Sequence, residues 1–179
     1  DLPPLSPVAD VPPSKGAPDT LGFDATALNT ALDATFTDPL PFHRAVVIMR
    51  SGKIVAERYA PGYDAKTALM SASMAKSVTG MMVGAAVKEG LVDLEARAPI
   101  PEWSEDPDYP RSAITWMHLM QMQTGLEFNE GYLDPFDDVP VMNVLERSAA
   151  DFAIKKPLLH EPGTVFKYST GTSNILQRA

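Results

Sequence analysis

The chain has 179 residues, a length typical of one domain. Its net charge of −8 and its lack of a basic run argue against binding to nucleic-acid phosphates, and the absence of cysteine excludes disulfides and thiolate metal sites. The longest apolar run, residues 78–87, contains two glycines and is too short to span a bilayer. The chain begins with Asp1 rather than Met and has no signal-peptide pattern, which favours a processed, periplasmic or secreted protein over a cytoplasmic one.

The N-terminal part begins with a proline-rich segment, since six of the 17 prolines fall within the first 20 residues. We expect residues 1–22 to form an extended arm or linker and residues 23–179 to form the folded domain. Asp24 is placed to cap a helix whose apolar residues recur at helical spacing up to Phe36. The sequence Thr-Asp-Pro at residues 37–39 should end that helix.

A β-hairpin is predicted next. Residues 44–50 and 54–59 are rich in β-branched and apolar side chains, and the turn sequence Ser-Gly-Lys at residues 51–53 separates them. The first of these strands is almost wholly apolar, so we expect both of its faces to be covered.

A Ser-x-x-Lys pair, Ser73 and Lys76, stands at the start of a long apolar segment. In a helix that runs to about Glu89 and ends at Gly90, the two side chains lie on one face, one turn apart. A lysine amine in a partly dry pocket can lose its proton and then take that of the serine hydroxyl, which converts an inert alcohol into a nucleophile. For the pair alone, the alternative is an ordinary helix start, with the serine as a cap and the lysine in solvent.

The apolar side chains of this helix cover most of its circumference, which is typical of a buried helix. Its polar first turn should therefore point into a cleft.

Further along, Thr115 is placed to cap a helix over residues 116–123. We interpret His118, inside that helix, as a hydrogen-bonded structural residue because no other histidine has metal-ligand spacing from it.

Residues 127–138 contain five acidic and three aromatic side chains but lack the regular ligand spacing of a calcium loop. We expect a solvated loop near a cleft, without a metal or another cofactor.

The pattern of residues 139–154 predicts one amphipathic helix with Val144 and Leu145 among its inward residues. Tyr168 then opens a loop before another helix start.

Four features, in this order along the chain, resemble the serine β-lactamase-like superfamily, in particular the branch of class C β-lactamases, carboxylesterases and 6-aminohexanoate-dimer hydrolases. The resemblance covers nearly all of residues 23–179. It implies an α/β (α+β) fold of the β-lactamase and penicillin-binding-protein type, in which helices and a helical subdomain flank an antiparallel sheet. The four features are the hairpin of residues 46–59, Ser73-Met74-Ala75-Lys76, Thr115 to Leu119 followed by Thr124-Gly125-Leu126, and Pro162-Gly163-Thr164-x-Phe166-x-Tyr168-Ser169.

The resemblance also implies catalytic roles. Ser73 is similar to the acylated nucleophile of the family, and Lys76 is similar to its general base. Tyr168 resembles the tyrosine of a Tyr-x-Asn motif that passes a proton to the leaving group, and the backbone N–H of Ser73 resembles one oxyanion donor. The implied activity is hydrolysis of a small-molecule ester or amide, such as an amino-acid oligomer, through an acyl-enzyme.

Substrate-binding candidates lie in the acidic loop and at the Tyr-x-Asn motif. Tyr132 and Asp134 are placed to receive a substrate amine, and Thr170 occupies the Asn position of the motif. Threonine at that position argues against a strict β-lactamase and favours the esterase and oligomer-hydrolase branch.

A further motif of the family, Lys-Thr-Gly or an equivalent on a sheet strand, does not follow before Ala179. We therefore expect an N-terminal portion that lacks the C-terminal part of the fold, with a site completed by residues outside this chain or by a second polypeptide. Two alternatives stay open. One is a catalytically silent binding module of the same fold, and the other is an inactive half that needs a complementary polypeptide.

Overall fold

The computed structural model describes residues 14–37, 43–104 and 110–179. The chain divides into two compact units, Asp1–Met70 and Ser71–Ala179. No helix in these described ranges is long and apolar enough to cross a membrane.

The first unit carries the predicted helix and hairpin. The carboxylate of Asp24 accepts a hydrogen bond of 2.8 Å from the backbone N–H of Ala27, which confirms the predicted cap. Two expectations, the helix end at residues 38 and 39 and the first 13 residues of the arm, lie outside the described residues. The elements of this unit are a 3-10 turn Asp19–Leu21, α1 Ala25–Thr37, β1 Ala45–Arg50 and β2 Lys53–Tyr59.

The hairpin forms as predicted, with β1 antiparallel to β2. Ser51 and Gly52 have φ angles of 51° and 73°, which are the left-handed conformations that a two-residue hairpin turn requires. The expectation that both faces of β1 are covered is wrong. Val55 in β2 is buried, but Val47 and Met49 on one face of β1 are about half exposed, since the described residues cover only the other face.

Residues 14–16 of the predicted arm are bonded to β2. The backbone N–H of Gly16 donates to the carbonyl of Ile54, and the N–H of Ile54 donates to the carbonyl of Ser14, each over 2.9 Å. Lys15 also forms an ion pair with Glu57. These contacts give the strand β2 a short parallel bridge on one edge.

The second unit is helical in its described part. Its longest helix, α2, ends as predicted: Gly90 has a φ angle of 73°, and the N–H of Leu91 donates back to the carbonyl of Ala86 over 2.9 Å. The helix after Thr115 begins as predicted but is three residues shorter. The helices are α2 Ala75–Lys88, α3 Pro101–Ser104, α4 Trp116–Met120, α5 Asp138–Pro140, α6 Ala149–Ile154 and α7 Thr170–Arg178, with 3-10 turns at Ala72–Met74 and Pro110–Ala113 and a π-helical turn at Val141–Leu145.

The helix α7 lies in the core of the second unit. Its residue Ile175 is fully buried and belongs to one apolar cluster with Leu119 of α4 and Ile154 of α6. At its first turn, Gly171 lies so close to Phe128 that a Cβ atom would come within 2.5 Å of that ring. The glycine therefore allows the helix to pack directly against the aromatic side chain.

The expectation that α2 is buried on most sides is wrong. Val83 is buried, but Val78, Met81 and Met82 are between 53% and 68% exposed. Apolar composition indicates that a surface can be covered, whereas burial depends on which elements pack against it, and the described residues of this unit cover one strip of the helix. Ser73, just before α2, therefore lies at the surface of the unit.

The prediction of one helix over residues 139–154 is also wrong. The π-helical turn ends at Leu145, Glu146 is extended with φ −97° and ψ 144°, and the side chain of Ser148 caps a new helix, α6. Val144 and Leu145, at the end of the π-helical turn, are exposed rather than inward.

Replacing Ile175 with alanine should lower the free energy of unfolding by about 2–5 kcal/mol, because it removes buried methyl groups from the core and leaves a cavity. Urea unfolding followed by circular dichroism measures this. Lys88→Ala, at the exposed end of α2, is the control and should change the same quantity by no more than about 0.5 kcal/mol. Equal losses in the two variants would contradict the central position of α7.

Candidate active site

Ser73 and Lys76 lie one turn apart at the start of α2, as predicted. Ser73 is in the 3-10 turn that leads into the helix, and Lys76 is the second residue of the helix. The Nζ atom of Lys76 donates a hydrogen bond of 3.0 Å to the Oγ atom of Ser73. The serine is exposed and the lysine is half-buried. An accessible hydroxyl thus lies within hydrogen-bonding distance of an amine.

The backbone is strained directly before Ser73. Ala72 has a φ angle of 44°, in the left-handed region that costs a residue with a Cβ atom roughly 1–2 kcal/mol. The surrounding turn holds this conformation, since the N–H of Met74 donates to the carbonyl of Ser71 over 3.0 Å. Strain of this kind is found where the surroundings fix a reactive side chain in one geometry.

Tyr168 is placed by backbone hydrogen bonds to a distant segment. The N–H of Gly163 donates to the carbonyl of Gln123, and the N–H of Lys167 donates to the carbonyl of Met122, each over 2.8 Å. The chain therefore runs alongside the end of the α4 segment and delivers Tyr168 just before α7 begins.

The phenol ring of Tyr168 lies beside the lysine amine. Its centroid is 5.0 Å from the Nζ atom of Lys76, within the range of a cation–π contact. Hydrogen bonding with Lys76, and to a smaller extent with Ser73, lowers the pKa of the Tyr168 phenol below its ordinary value. The structure thus brings together the three residues that the resemblance implied as catalytic.

Thr170 joins the same group. Ser169 caps α7, so Thr170 is the first residue of that helix. Its Oγ1 atom accepts a hydrogen bond of 3.3 Å from the Nζ atom of Lys76. The amine of Lys76 therefore lies between the side chains of Ser73, Tyr168 and Thr170.

Glu130 is a member of this site that sequence reasoning missed. Its carboxylate accepts a hydrogen bond of 2.6 Å from the backbone N–H of Thr170, another from the hydroxyl of Thr170, and one of 2.7 Å from the phenol of Tyr132. The sequence marks its loop as acidic but has no signal that distinguishes Glu130 from the other four acids, because its partner is 40 residues away.

The two remaining substrate-binding candidates differ in position. Tyr132 is mostly exposed, and its hydrogen bond to Glu130 raises the pKa of its phenol, in the direction opposite to Tyr168. The carboxylate of Asp134 accepts a hydrogen bond of 2.9 Å from the N–H of Phe136 within its own loop, and no described hydrogen bond joins it to Tyr132 or Tyr168.

His118 has the structural role that we predicted. Its Nδ1 atom accepts a hydrogen bond of 3.2 Å from the N–H of Thr115, whose hydroxyl accepts one of 3.2 Å from the N–H of His118. These two bonds form a capping box at the start of α4. Within residues 14–37, 43–104 and 110–179, no group of three or more His, Asp or Glu side chains could hold a metal ion.

Comparison with known proteins places this site in a family context. The sequence model of the Beta-lactamase family matches residues 44–179. A 6-aminohexanoate-dimer hydrolase of Paenarthrobacter ureafaciens is 28% identical over 147 residues, which are 78% of this chain and 35% of that protein. A solved structure named "Putative 6-aminohexanoate-dimer hydrolase from Bacillus anthracis" is similar with a TM-score of 0.60 at 26% identity, over 83% of this chain and 40% of that one. This chain therefore spans well under half the length of both relatives.

The opposite shifts of the two phenols can be measured by titrating tyrosine absorbance at 295 nm. Since hydrogen bonding with Lys76 lowers the pKa of Tyr168, one phenol should ionise below the ordinary tyrosine pKa of about 10. Tyr168→Phe should remove that early step, and Lys76→Met should move it to higher pH.

Tyr132→Phe is the matched control for this titration. Because the pKa of Tyr132 is raised, this variant should lose a late ionisation step and keep the early one. An early step that survives in Tyr168→Phe would contradict the described environment of the phenol.

Proposed function

Since the chain belongs to the beta-lactamase family, we propose that it carries the nucleophile and the proton-transfer residues of a serine hydrolase, which acts through an acyl-enzyme on an ester or an amide. The observation that carries this proposal is the hydrogen bond of 3.0 Å between the Nζ atom of Lys76 and the Oγ atom of Ser73, with the phenol of Tyr168 beside the same amine. A hydroxyl, an amine and a phenol in this order form a continuous route for the proton that the nucleophile loses.

In the proposed acylation, Lys76 as a neutral amine takes the proton of Ser73, and the serine oxygen forms a bond to the substrate carbonyl carbon. The carbonyl oxygen becomes an oxyanion, for which the backbone N–H of Ser73 is the proposed first donor. The bond to the leaving group then breaks. The leaving group takes the proton of the Tyr168 phenol, and the Lys76 ammonium returns a proton to the phenolate. Water releases the acyl group through the reverse transfers.

The proposed shuttle role of Tyr168 is supported by the lowered pKa of its phenol, because a phenol that ionises more readily gives up its proton more easily. Tyr132 is suited to another task. Since it donates its own proton to Glu130, its oxygen can accept a hydrogen bond from a substrate amine. The exposed carboxylate of Asp134 in the same loop stays a candidate for the same amine.

The names of the two relatives favour a substrate class. Both are named as hydrolases of a 6-aminohexanoate dimer, and each is similar to this chain over only part of its own length. We propose short linear amides and short-chain esters as substrates. Thr170 is the third proposed binding residue, after Tyr132 and Asp134. Its hydroxyl lies next to Lys76, where it is placed to contact the substrate or the Lys76 amine.

Labelling of the intact protein with a fluorophosphonate tests the nucleophile. The expected result is one covalent adduct on Ser73, which disappears in Ser73→Ala and persists in Ser77→Ala, an exposed serine one turn along the same segment. Peptide mass spectrometry locates the adduct. An unlabelled wild-type protein, or labelling that persists in Ser73→Ala, would overturn the proposal. The first of these outcomes would favour the two alternatives, the binding module and the inactive half that needs a complementary polypeptide.

Lys76→Arg tests whether the amine acts as a base or only as a positive charge. A guanidinium keeps the charge but does not lose its proton in proteins. The variant should therefore lower kcat on a chromogenic ester by roughly 10²–10⁴-fold, the range expected for loss of general-base catalysis. If Lys76→Arg kept the wild-type kcat, an electrostatic role would replace the general-base role.

A further inference from the structure

Glu130 accepts several hydrogen bonds at the site but has no part in the proposed proton route. Its carboxylate accepts hydrogen bonds from the backbone N–H and the hydroxyl of Thr170 and from the phenol of Tyr132. The Oγ1 atom of Thr170 in turn accepts a hydrogen bond from Lys76. We propose that Glu130 is a positioning residue, which fixes the direction of the Thr170 hydroxyl and thereby aims the Lys76 amine at Ser73.

The direction of the Thr170 hydroxyl follows from counting protons. A carboxylate has acceptor sites only, whereas a hydroxyl has one proton and two lone pairs. Because Thr170 gives its single proton to Glu130, only lone pairs remain to face Lys76. As long as Thr170 donates to Glu130, its oxygen can only accept from Lys76.

This direction matters when Lys76 is neutral, and here the inference rests on the proposed function. A neutral amine has two N–H bonds and one lone pair. If one N–H donates to Thr170, the lone pair is left for the hydroxyl proton of Ser73. A Thr170 hydroxyl that was free to rotate could instead donate to that lone pair and compete with Ser73. Glu130 removes this competition.

A purely structural role for Glu130 makes different predictions. The carboxylate also accepts the first backbone N–H of α7, one of the donors that a helix start leaves without an intrahelical partner. If Glu130 only stabilised this helix start, its loss would lower the melting temperature. It would not act on the reaction through the Thr170 hydroxyl.

The primary test is Glu130→Gln in the intact protein, with p-nitrophenyl acetate as substrate. The amide is nearly the same shape, but its NH₂ group can donate to Thr170 and turn the threonine proton towards Lys76. We expect kcat to fall at least tenfold while KM stays within about threefold. Glu127→Gln, an exposed acid on the same loop, is the matched control and should keep the wild-type kcat. A Glu130→Gln enzyme with wild-type kcat would overturn the inference.

Coupling to Thr170 separates positioning from stabilisation. Thr170→Val removes the hydroxyl and should lower kcat at least tenfold, whereas Thr170→Ser keeps the hydroxyl and should retain most of it. In the Thr170→Val background, adding Glu130→Gln should cause little further loss of kcat, because the group it acts through is absent. If the fold-losses of kcat in the two single variants multiplied in the double variant, the inference would be overturned. If Glu130→Gln fails to fold, Thr170→Ser and Thr170→Val still test the inference. Equal kcat values for these two variants would overturn it.

Two further readouts distinguish failure of this inference from failure of the proposed function. Titration of tyrosine absorbance does not depend on activity. Tyr59 also has a raised pKa, so the late step of Tyr132 is the one that Tyr132→Phe removes. Glu130→Gln should move that step to lower pH, and no change in it would contradict the described network. Fluorophosphonate labelling of Ser73 in the wild type reports on the proposed function itself. A wild type that is not acylated contradicts both proposals, whereas an acylated wild type with an unaffected Glu130→Gln variant contradicts the positioning role alone.

Discussion

The contacts of one nitrogen, the Nζ atom of Lys76, join the starts of two helices in the second unit of this chain. Its bond to Ser73 is local and needs only that α2 begins where it does. Its contacts with Tyr168 and Thr170 span more than 90 residues and need the start of α7 to lie beside the start of α2. The site therefore depends on the packing of α7, and the burial of that helix holds the distant side chains in place.

Features of the fold that depend on neighbouring residues could be predicted from the sequence. The cap at Asp24 and the glycine that ends α2 both act over a few residues, so their signals are complete in a short segment. Burial of α2 could not be predicted in this way, because hydrophobicity does not say which element covers a face. The break before α6 did carry a local signal that we missed: Ser148 and Asp151 have the spacing of a helix start.

The residues of the candidate site also divide into those with a local sequence signal and those that depend on distant packing. Ser73 and Lys76 are recognisable because one helical turn relates them, and Tyr168 is recognisable only through the order of motifs along the chain. Glu130 follows from neither kind of signal. Its part in the site depends on a loop meeting the first turn of a helix 40 residues later, and in the sequence it is one acid among five. The same composition makes Asp134 look equally suitable, although its carboxylate serves its own loop.

Threonine at position 170, where the resembled motif has asparagine, is consistent with this hydrogen-bond pattern. The contacts require a side chain that donates to Glu130 and accepts from Lys76. An asparagine amide can do both, but it uses its nitrogen for one and its oxygen for the other. Threonine does both with a single oxygen, so that donation of its only proton also fixes where its lone pairs point. Threonine at this position thus provides both the donor and the acceptor, and it links the carboxylate of Glu130 to the amine of Lys76 through one oxygen atom.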